Sequence, residues 1–127
     1  MSKQNIKKII SFPLLIIIAF LMFGLLKNLF SQPDDQALTE AIRSGAFLVD
    51  VRTSGEFASG SVSGAVNIPL DQIESRLNEF KDKKTIIVFC RSGNRSGQAK
   101  SILERSGFTN ILNGGTWDHV ASLKDNK

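Results

Sequence analysis

The sequence predicts an α/β domain with a mostly parallel central sheet flanked by helices, preceded by one apolar segment near the amino terminus. Two observations lead to this fold class. Short, continuously apolar runs such as 46–51 and 85–89 are typical of strands that are buried on both faces of a parallel sheet. These runs alternate along the chain with segments of helical periodicity, and such alternation favours parallel pairing.

The amino-terminal apolar segment is expected to form one transmembrane helix. Residues 9–26 carry no charge, and at about 1.5 Å per residue they span roughly 27 Å, close to the hydrocarbon thickness of a bilayer. A cleaved signal peptide is the alternative, but the run is longer than the usual apolar core and no A-x-A-like site follows. Lysines before the run predict a single-pass inner-membrane protein whose carboxy-terminal domain is periplasmic.

The chain is expected to divide into four parts. Residues 1–30 form the cytoplasmic tip and the transmembrane helix, 31–36 a polar linker, 37–122 the α/β domain, and 123–127 a polar tail. Four of the 16 basic residues lie at or before position 27, so the other 12 balance the 12 acidic residues. A near-neutral domain argues against a nucleic-acid surface, and a single cysteine excludes an internal disulfide.

The first elements of the domain follow from local patterns. A helix is expected over 35–43, with an acidic start and a glycine just after its end. The apolar run 46–51 predicts a buried strand. Thr53 and Glu56 have the spacing of a capping box and should open a short helix that ends near Gly60.

The middle of the domain predicts a short strand and a longer helix. Residues 65–68 form the strand, which Pro69 closes. Asp71 is expected to cap a helix over 71–80, since apolar residues recur there at helical spacing.

The last third of the domain repeats the strand–helix pattern. A strand is expected at 85–89 and a helix at 95–106, followed by a short strand at 110–112. The glycine pair at 114–115 is expected to lead into a terminal helix over 117–123.

Cys90 is the candidate nucleophile. It stands where the strand 85–89 should end and a helix begin, just before the turn-rich run 91–97. Loop amides and the positive end of a helix dipole both favour a thiolate over a thiol at such a position. Ligands of parallel sheets also bind beyond the carboxyl ends of the strands. The alternative is an inert, buried cysteine.

Several motifs, taken together, resemble the rhodanese domain. They are Asp50-Val-Arg52, Glu56-Phe57, Gly64-Ala-Val-Asn-Ile-Pro69, Cys90-Arg-Ser-Gly-Asn-Arg-Ser96 and Gly114-Gly115 with Trp117. The resemblance covers residues 37–122 and is greatest to the single-domain rhodaneses of bacteria. It implies a rhodanese-like fold and a thiosulfate sulfurtransferase that uses no metal and no organic cofactor. Such an enzyme moves a sulfane sulfur from thiosulfate or a related anionic donor to cyanide or a thiol acceptor.

The resemblance also implies a persulfide on Cys90 and a loop that binds its terminal sulfur. The substrate-binding residues expected in that loop are Arg91, Ser92, Gly93, Asn94 and Arg95. Their backbone N–H groups would converge on the sulfur anion, and the two arginines would attract a divalent sulfur oxyanion. Gly93 permits tight curvature, and Asn94 tolerates a left-handed conformation.

Other polar and aromatic residues near the expected site are given supporting or structural roles. Asp50 is expected to hold neighbouring loops by hydrogen bonds. For Arg52, ion pairing and attraction of the substrate are equally expected. Glu56 is interpreted as a helix cap and Trp117 as a core residue. His119, the only histidine, is expected to be exposed, without the neighbours that a metal site needs.

Two alternatives to a free sulfurtransferase remain. One is a binding module that carries a persulfide for a protein partner, with little turnover of its own. The other is a phosphatase or arsenate reductase, which the loop length disfavours: four residues separate Cys90 from Arg95, whereas the cysteine phosphatases use five. The sequence departs from the rhodanese pattern at Ser61, where many relatives carry histidine.

Overall fold

The computed structural model describes residues 13–24 and 35–126. The chain separates into two compact units, Met1–Ser31 and Gln32–Lys127. In the first unit, residues 13–24 form helix α1. The described part of this helix spans about 18 Å.

The structure does not support the predicted transmembrane helix over 9–26. Across 13–24 and 35–126, no helix is both long and apolar enough to cross a membrane. Residues 9–12 and 25–26 of the predicted span lie outside the described residues. The membrane anchor and the periplasmic location therefore have no support from the fold.

The second unit is the predicted α/β domain, and its sheet is parallel throughout. Its strands are β1 (Phe47–Asp50), β2 (Val66–Asn67), β3 (Ile86–Cys90) and β4 (Ile111–Thr116). Its helices are α2 (Asp35–Arg43), α3 (Ser54–Ala58), α4 (Asn94–Arg105) and α5 (Trp117–Asp125), with two 3-10 helices at Leu70–Gln72 and Glu74–Phe80. The strand order is β2-β1-β3-β4. The fold class predicted for this domain is confirmed.

The sheet separates two hydrophobic clusters, because side chains alternate between the faces of each strand. Strand β3 is buried along its whole length. Ile86, Val88 and Cys90 pack on the face that α4 and the 3-10 helices cover. Ile87 and Phe89 pack on the opposite face, against α2 and α5. Cys90 therefore lies beneath α4, at the carboxyl end of a central strand.

The predicted helix over 71–80 is wrong. Pro69 is the N-cap and Asp71 makes no capping bond. Two 3-10 helices replace the α-helix, and the second is kinked at Arg76, whose φ is −124°. The kink coincides with a network in which the Arg76 guanidinium binds both carboxylate oxygens of Glu79 and the side chain of Gln72.

Strand β4 is longer than the predicted 110–112, because the glycine pair continues the strand instead of ending it. A bulge opposite Val88 and Phe89 makes Gly114 the extra residue of β4. Gly114 is required there, because a Cβ would lie 2.7 Å from Val120 Cγ2. Helix α5 runs to Asp125, so part of the predicted polar tail 123–127 is helical.

Candidate active site

Cys90 is the last residue of β3 and its thiol is buried. The residue has no accessible surface, and its side chain belongs to the hydrophobic cluster under α4. The loop 91–93 then connects the strand directly to α4. A strand that ends under a helix N-terminus places the sulfur beside backbone N–H groups that have no partner inside the helix.

Gly93 places a backbone amide on the sulfur. Its N–H donates to Cys90 Sγ at 3.0 Å. Its φ of 92° is left-handed, so glycine suits this position, although a Cβ there would make only an ordinary contact, 3.5 Å from the Gly115 backbone. The left-handed residue of the loop is thus Gly93, whereas Asn94 is the first residue of α4.

The Ser96 hydroxyl is a second hydrogen-bonding partner of the sulfur, and its role was not predicted from the sequence. Its hydroxyl lies 3.5 Å from Cys90 Sγ and is buried. The signal available in the sequence was its place at the end of the motif, where it enters the first turn of α4.

Hydrogen bonds to the Cys90 sulfur lower the pKa of its thiol by more than burial raises it. Burial raises the pKa of the thiol, but hydrogen bonds from the Ser96 hydroxyl and from the amides of Ser96, Ser92 and Gly93 together hold that pKa below its ordinary value. The amides of Ser92 and Gly93 belong to the predicted loop. The loop environment therefore favours the thiolate, which is the nucleophilic form of cysteine.

Arg95 points its guanidinium at a carboxylate instead of at the sulfur. Two of its nitrogens bind the two carboxylate oxygens of Glu56, at 2.7 and 3.0 Å. Glu56 also completes the predicted capping box with Thr53. The hydrogen bond to Glu56 is the main cause of the raised pKa of Arg95, and the negative charge of Cys90 contributes to a smaller degree. Arg91 is exposed.

The ion pair predicts how Glu56 titrates. The hydrogen bond from Arg95, followed by that from the Thr53 amide, lowers the pKa of Glu56 from 4.5 to about 2. Because the folded pKa is lower, the stabilisation is complete above pH 4.5 and is lost as the pH falls towards about 2. We expect Arg95→Ala to return the Glu56 titration towards 4.5, measured by carboxyl-detected NMR. Arg76→Ala, which removes a different arginine–glutamate pair, should leave it unchanged.

Asp50 and Arg52 form a buried ion pair at the carboxyl end of β1. The guanidinium binds both oxygens of Asp50, the closer at 2.7 Å, donates to the Gly60 carbonyl and lies over the Trp117 ring at 5.0 Å. Arg52 is thus engaged in ion pairing. Ser61, which stands where many relatives have histidine, donates to Asp50 at 2.7 Å. Its hydroxyl therefore supplies a donor to this carboxylate.

Two surface clefts flank the loop. One, of about 490 Å³, reaches Arg95 and lies between α4 and the 3-10 helices. The other, of about 370 Å³, reaches Ser92 and Thr116. His119 lines the second cleft and pairs with Asp35 at 2.7 Å. The loop over the sulfur therefore borders the second cleft through Ser92, whereas the first cleft contacts α4 at Arg95.

Comparisons with known proteins agree with this geometry. The family model of the rhodanese-like domain matches residues 34–118. The uncharacterized protein YqhL of Bacillus subtilis is 38% identical over 104 residues, which are 79% of this chain and 82% of YqhL. The thiosulfate sulfurtransferase PspE of Escherichia coli is 38% identical over 78 residues, which are 60% of this chain and 75% of PspE.

A solved structure shares the fold. A rhodanese with anions from E. coli superposes with a TM-score of 0.56 at 35% identity, and the match covers 61% of this chain and 93% of that one. The resemblance to rhodaneses stated above is thereby confirmed, together with the predicted rhodanese-like fold. The chain belongs to the family of rhodanese-like domain proteins.

Proposed function

We propose that the protein is a sulfurtransferase that carries a sulfane sulfur as a persulfide on Cys90. The observation that carries the proposal is the contact between the Gly93 amide and the Cys90 sulfur, 3.0 Å long, at the carboxyl end of a central parallel strand. Relatives named as thiosulfate sulfurtransferases or sulfurtransferases, in E. coli and Allochromatium vinosum, support sulfur transfer in general.

The first half-reaction loads the sulfur. The Cys90 thiolate attacks the outer sulfur of thiosulfate, a Cys–S–S bond forms, the sulfur–sulfur bond of thiosulfate breaks, and sulfite leaves with the electron pair. One thiolate and a divalent donor give one persulfide anion and divalent sulfite, so charge is balanced. A polarisable nucleophile that is also a good leaving group suits this exchange.

The second half-reaction unloads the sulfur. Cyanide or a thiolate attacks the terminal sulfur, the Cys–S–S bond breaks, and the electron pair returns to Cys90 as a thiolate. With cyanide the product is thiocyanate. The N–H groups that stabilise the thiolate are placed to stabilise the persulfide anion as well, once the loop has closed over it.

Access to the sulfur requires the loop to move. Cys90 has no accessible surface, so a donor sulfur reaches it only when residues 91–93 shift outward. Arg91 and Ser92 are exposed, so the shift disturbs little core packing. Four residues separate Cys90 from Arg95, fewer than the five of the cysteine phosphatases, and this smaller loop favours sulfur transfer over phosphatase chemistry.

Intact mass spectrometry of the full chain tests the proposal. Treatment with thiosulfate is expected to add one sulfur atom to the protein, and cyanide is expected to remove it and yield thiocyanate. Protein whose single cysteine has been alkylated is the control and should gain no sulfur. A chain that gains no sulfur, or gains it equally after alkylation, contradicts the proposal.

A persulfide carrier is the second candidate function. The observation that favours it is again the buried sulfur of Cys90, which a protein partner could uncover by displacing the loop. A carrier would gain one sulfur from thiosulfate but release it slowly to cyanide. Rapid release to cyanide by the isolated chain would exclude this candidate.

A further inference from the structure

The side chain of Asn113, on β4, forms hydrogen bonds with the segment that faces Cys90. Asn113 Oδ1 accepts from the Ser96 hydroxyl at 2.7 Å and from the Gly115 amide at 3.0 Å. Asn113 Nδ2 faces the Gly93 carbonyl at 3.4 Å. The side chain thus contacts Ser96 and Gly93, two of the three residues that donate hydrogen bonds to the sulfur, although it does not itself contact the sulfur.

We propose that Asn113 is a positioning residue for sulfur transfer, which acts through Ser96 and Gly93 to set the hydrogen bonds received by the Cys90 sulfur. The proposal rests on Cys90 being the sulfur carrier described above. No motif of the sequence analysis includes Asn113, which lies 17 residues beyond Ser96 along the chain.

The Ser96 hydroxyl has one proton and several possible acceptors. Its oxygen lies 2.7 Å from Asn113 Oδ1, 3.1 Å from the Gly93 carbonyl and 3.5 Å from Cys90 Sγ. While the cysteine is a neutral thiol, the hydroxyl donates to the nearest acceptor, Asn113, and can accept a hydrogen bond from the thiol. When the sulfur is an anion, the hydroxyl turns and donates to it instead.

Asparagine suits this exchange because its oxygen has a second donor. When the Ser96 hydroxyl turns towards the sulfur, Asn113 Oδ1 keeps the hydrogen bond from the Gly115 amide. No polar atom is then left without a partner, which would otherwise oppose the rotation. Asn113 and Gly115 are the residues on either side of Gly114, the bulge residue of β4.

The Gly93 contact orients the loop itself. The Gly93 carbonyl accepts from the Gly97 amide, at 3.0 Å, while its N–H faces Cys90 Sγ. Asn113 Nδ2 adds a second restraint on that carbonyl. The loop is thus held between the first turn of α4 and the bulge of β4.

Several charged groups lie near the sulfur in addition to the hydrogen bonds that Asn113 orients. Arg95 is on α4, Arg91 is in the loop, and the buried pair of Asp50 and Arg52 lies at the end of the neighbouring strand β1. His119 of α5 lines the cleft that reaches Ser92. Substitutions at position 113 leave all of these groups in place.

The test measures the ionisation of Cys90 without any sulfur donor. Thiolate absorbance in the ultraviolet is followed against pH, and the curve of Cys90→Ser protein is subtracted; the chain contains no tyrosine, so no phenolate interferes. We expect Asn113→Asp to raise the apparent pKa of Cys90 by about 1 unit, a tenfold loss of thiolate below that pKa. The introduced carboxylate would hold the Ser96 proton more strongly than the amide does.

A double-mutant cycle separates positioning from simple charge. In a Ser96→Ala background, Asn113→Asp should shift the Cys90 titration much less than in the wild type, because the hydroxyl is gone. Equal shifts in both backgrounds, or no shift in either, overturn the proposal. If Asn113→Asp fails to fold, Asn113→Ala is put through the same cycle and must again give unequal shifts.

Two controls accompany the cycle. Asn110→Asp places the same new charge beyond the opposite end of β3, where Asn110 binds the carbonyls of Lys83 and Lys84, and it should leave the Cys90 titration unchanged. The thiosulfate mass assay is run in parallel. If the protein gains no sulfur but the two backgrounds give unequal shifts, only the proposed sulfurtransferase function is refuted. If the protein gains sulfur but the two shifts are equal, only the role of Asn113 is refuted.

Discussion

Replacement of Cys90 by serine is expected to lower thiocyanate formation from thiosulfate and cyanide by at least about 10³-fold. A serine hydroxyl stays protonated near neutral pH and is a poor leaving group, so both half-reactions fail. The measurement is the steady-state rate of the full chain, together with its intact mass after thiosulfate. A serine variant with wild-type turnover would remove Cys90 from the mechanism.

The substitution is suitable because it keeps the fold. A serine hydroxyl at position 90 can still accept from the Gly93 amide and pair with Ser96, so the loop keeps its partners. Ser101→Ala, on the exposed side of the same α4 helix, is the matched control and should retain full turnover. Circular dichroism should show that both variants keep the helical content of the wild type.

Replacement of Gly114 by alanine is expected to destabilise the domain by about 2 kcal/mol. The added Cβ would lie 2.7 Å from Val120 Cγ2 and 3.0 Å from Ile87 Cγ2, and because both of these β-branched side chains are fully buried, they can move only by disturbing the core packing. In a domain of this size, such a loss lowers the melting temperature by on the order of 10 °C. Thermal unfolding followed by circular dichroism measures it.

Gly55→Ala provides the control, since it makes the same chemical change where there is space. Gly55 lies on the exposed α3 helix, and a Cβ there meets nothing within 4 Å. That variant should melt at or slightly above the wild-type temperature, because alanine reduces the entropy of the unfolded chain. If both glycine variants melt like the wild type, the close packing of Gly114 against α5 is contradicted.

The buried strands were predictable because their signal is local. The runs at 46–51 and 85–89 are apolar at almost every position, which only a strand covered on both faces requires. The helix over 71–80 was mispredicted because the spacing of its buried residues, Ile73 and Phe80, fits a kinked pair of 3-10 helices as well as one α-helix. Side-chain bonds of Arg76 accompany the kink, and these depend on tertiary placement.

The candidate site, too, was predictable only where its features are local in the sequence. The strand–cysteine–loop–helix order and the need for glycine at position 93 are visible in consecutive residues. The partners of those residues are not: Arg95 meets Glu56 from 39 positions away, and Ser96 meets Asn113, next to the bulge in β4, from 17 positions away. Contacts between distant segments leave no pattern in a single sequence, so the structure was needed to find them.

The depth of the Cys90 sulfur also bears on how two copies of the protein can react with each other. A covalent link between two chains requires their sulfur atoms to approach to about 2 Å with defined torsion angles. The Cys90 sulfur has no accessible surface and is covered by its own loop. It therefore cannot approach the sulfur of a second chain while the loop is closed. Air exposure should therefore leave the folded chains unlinked on a non-reducing gel, while a small, mobile reagent can still enter.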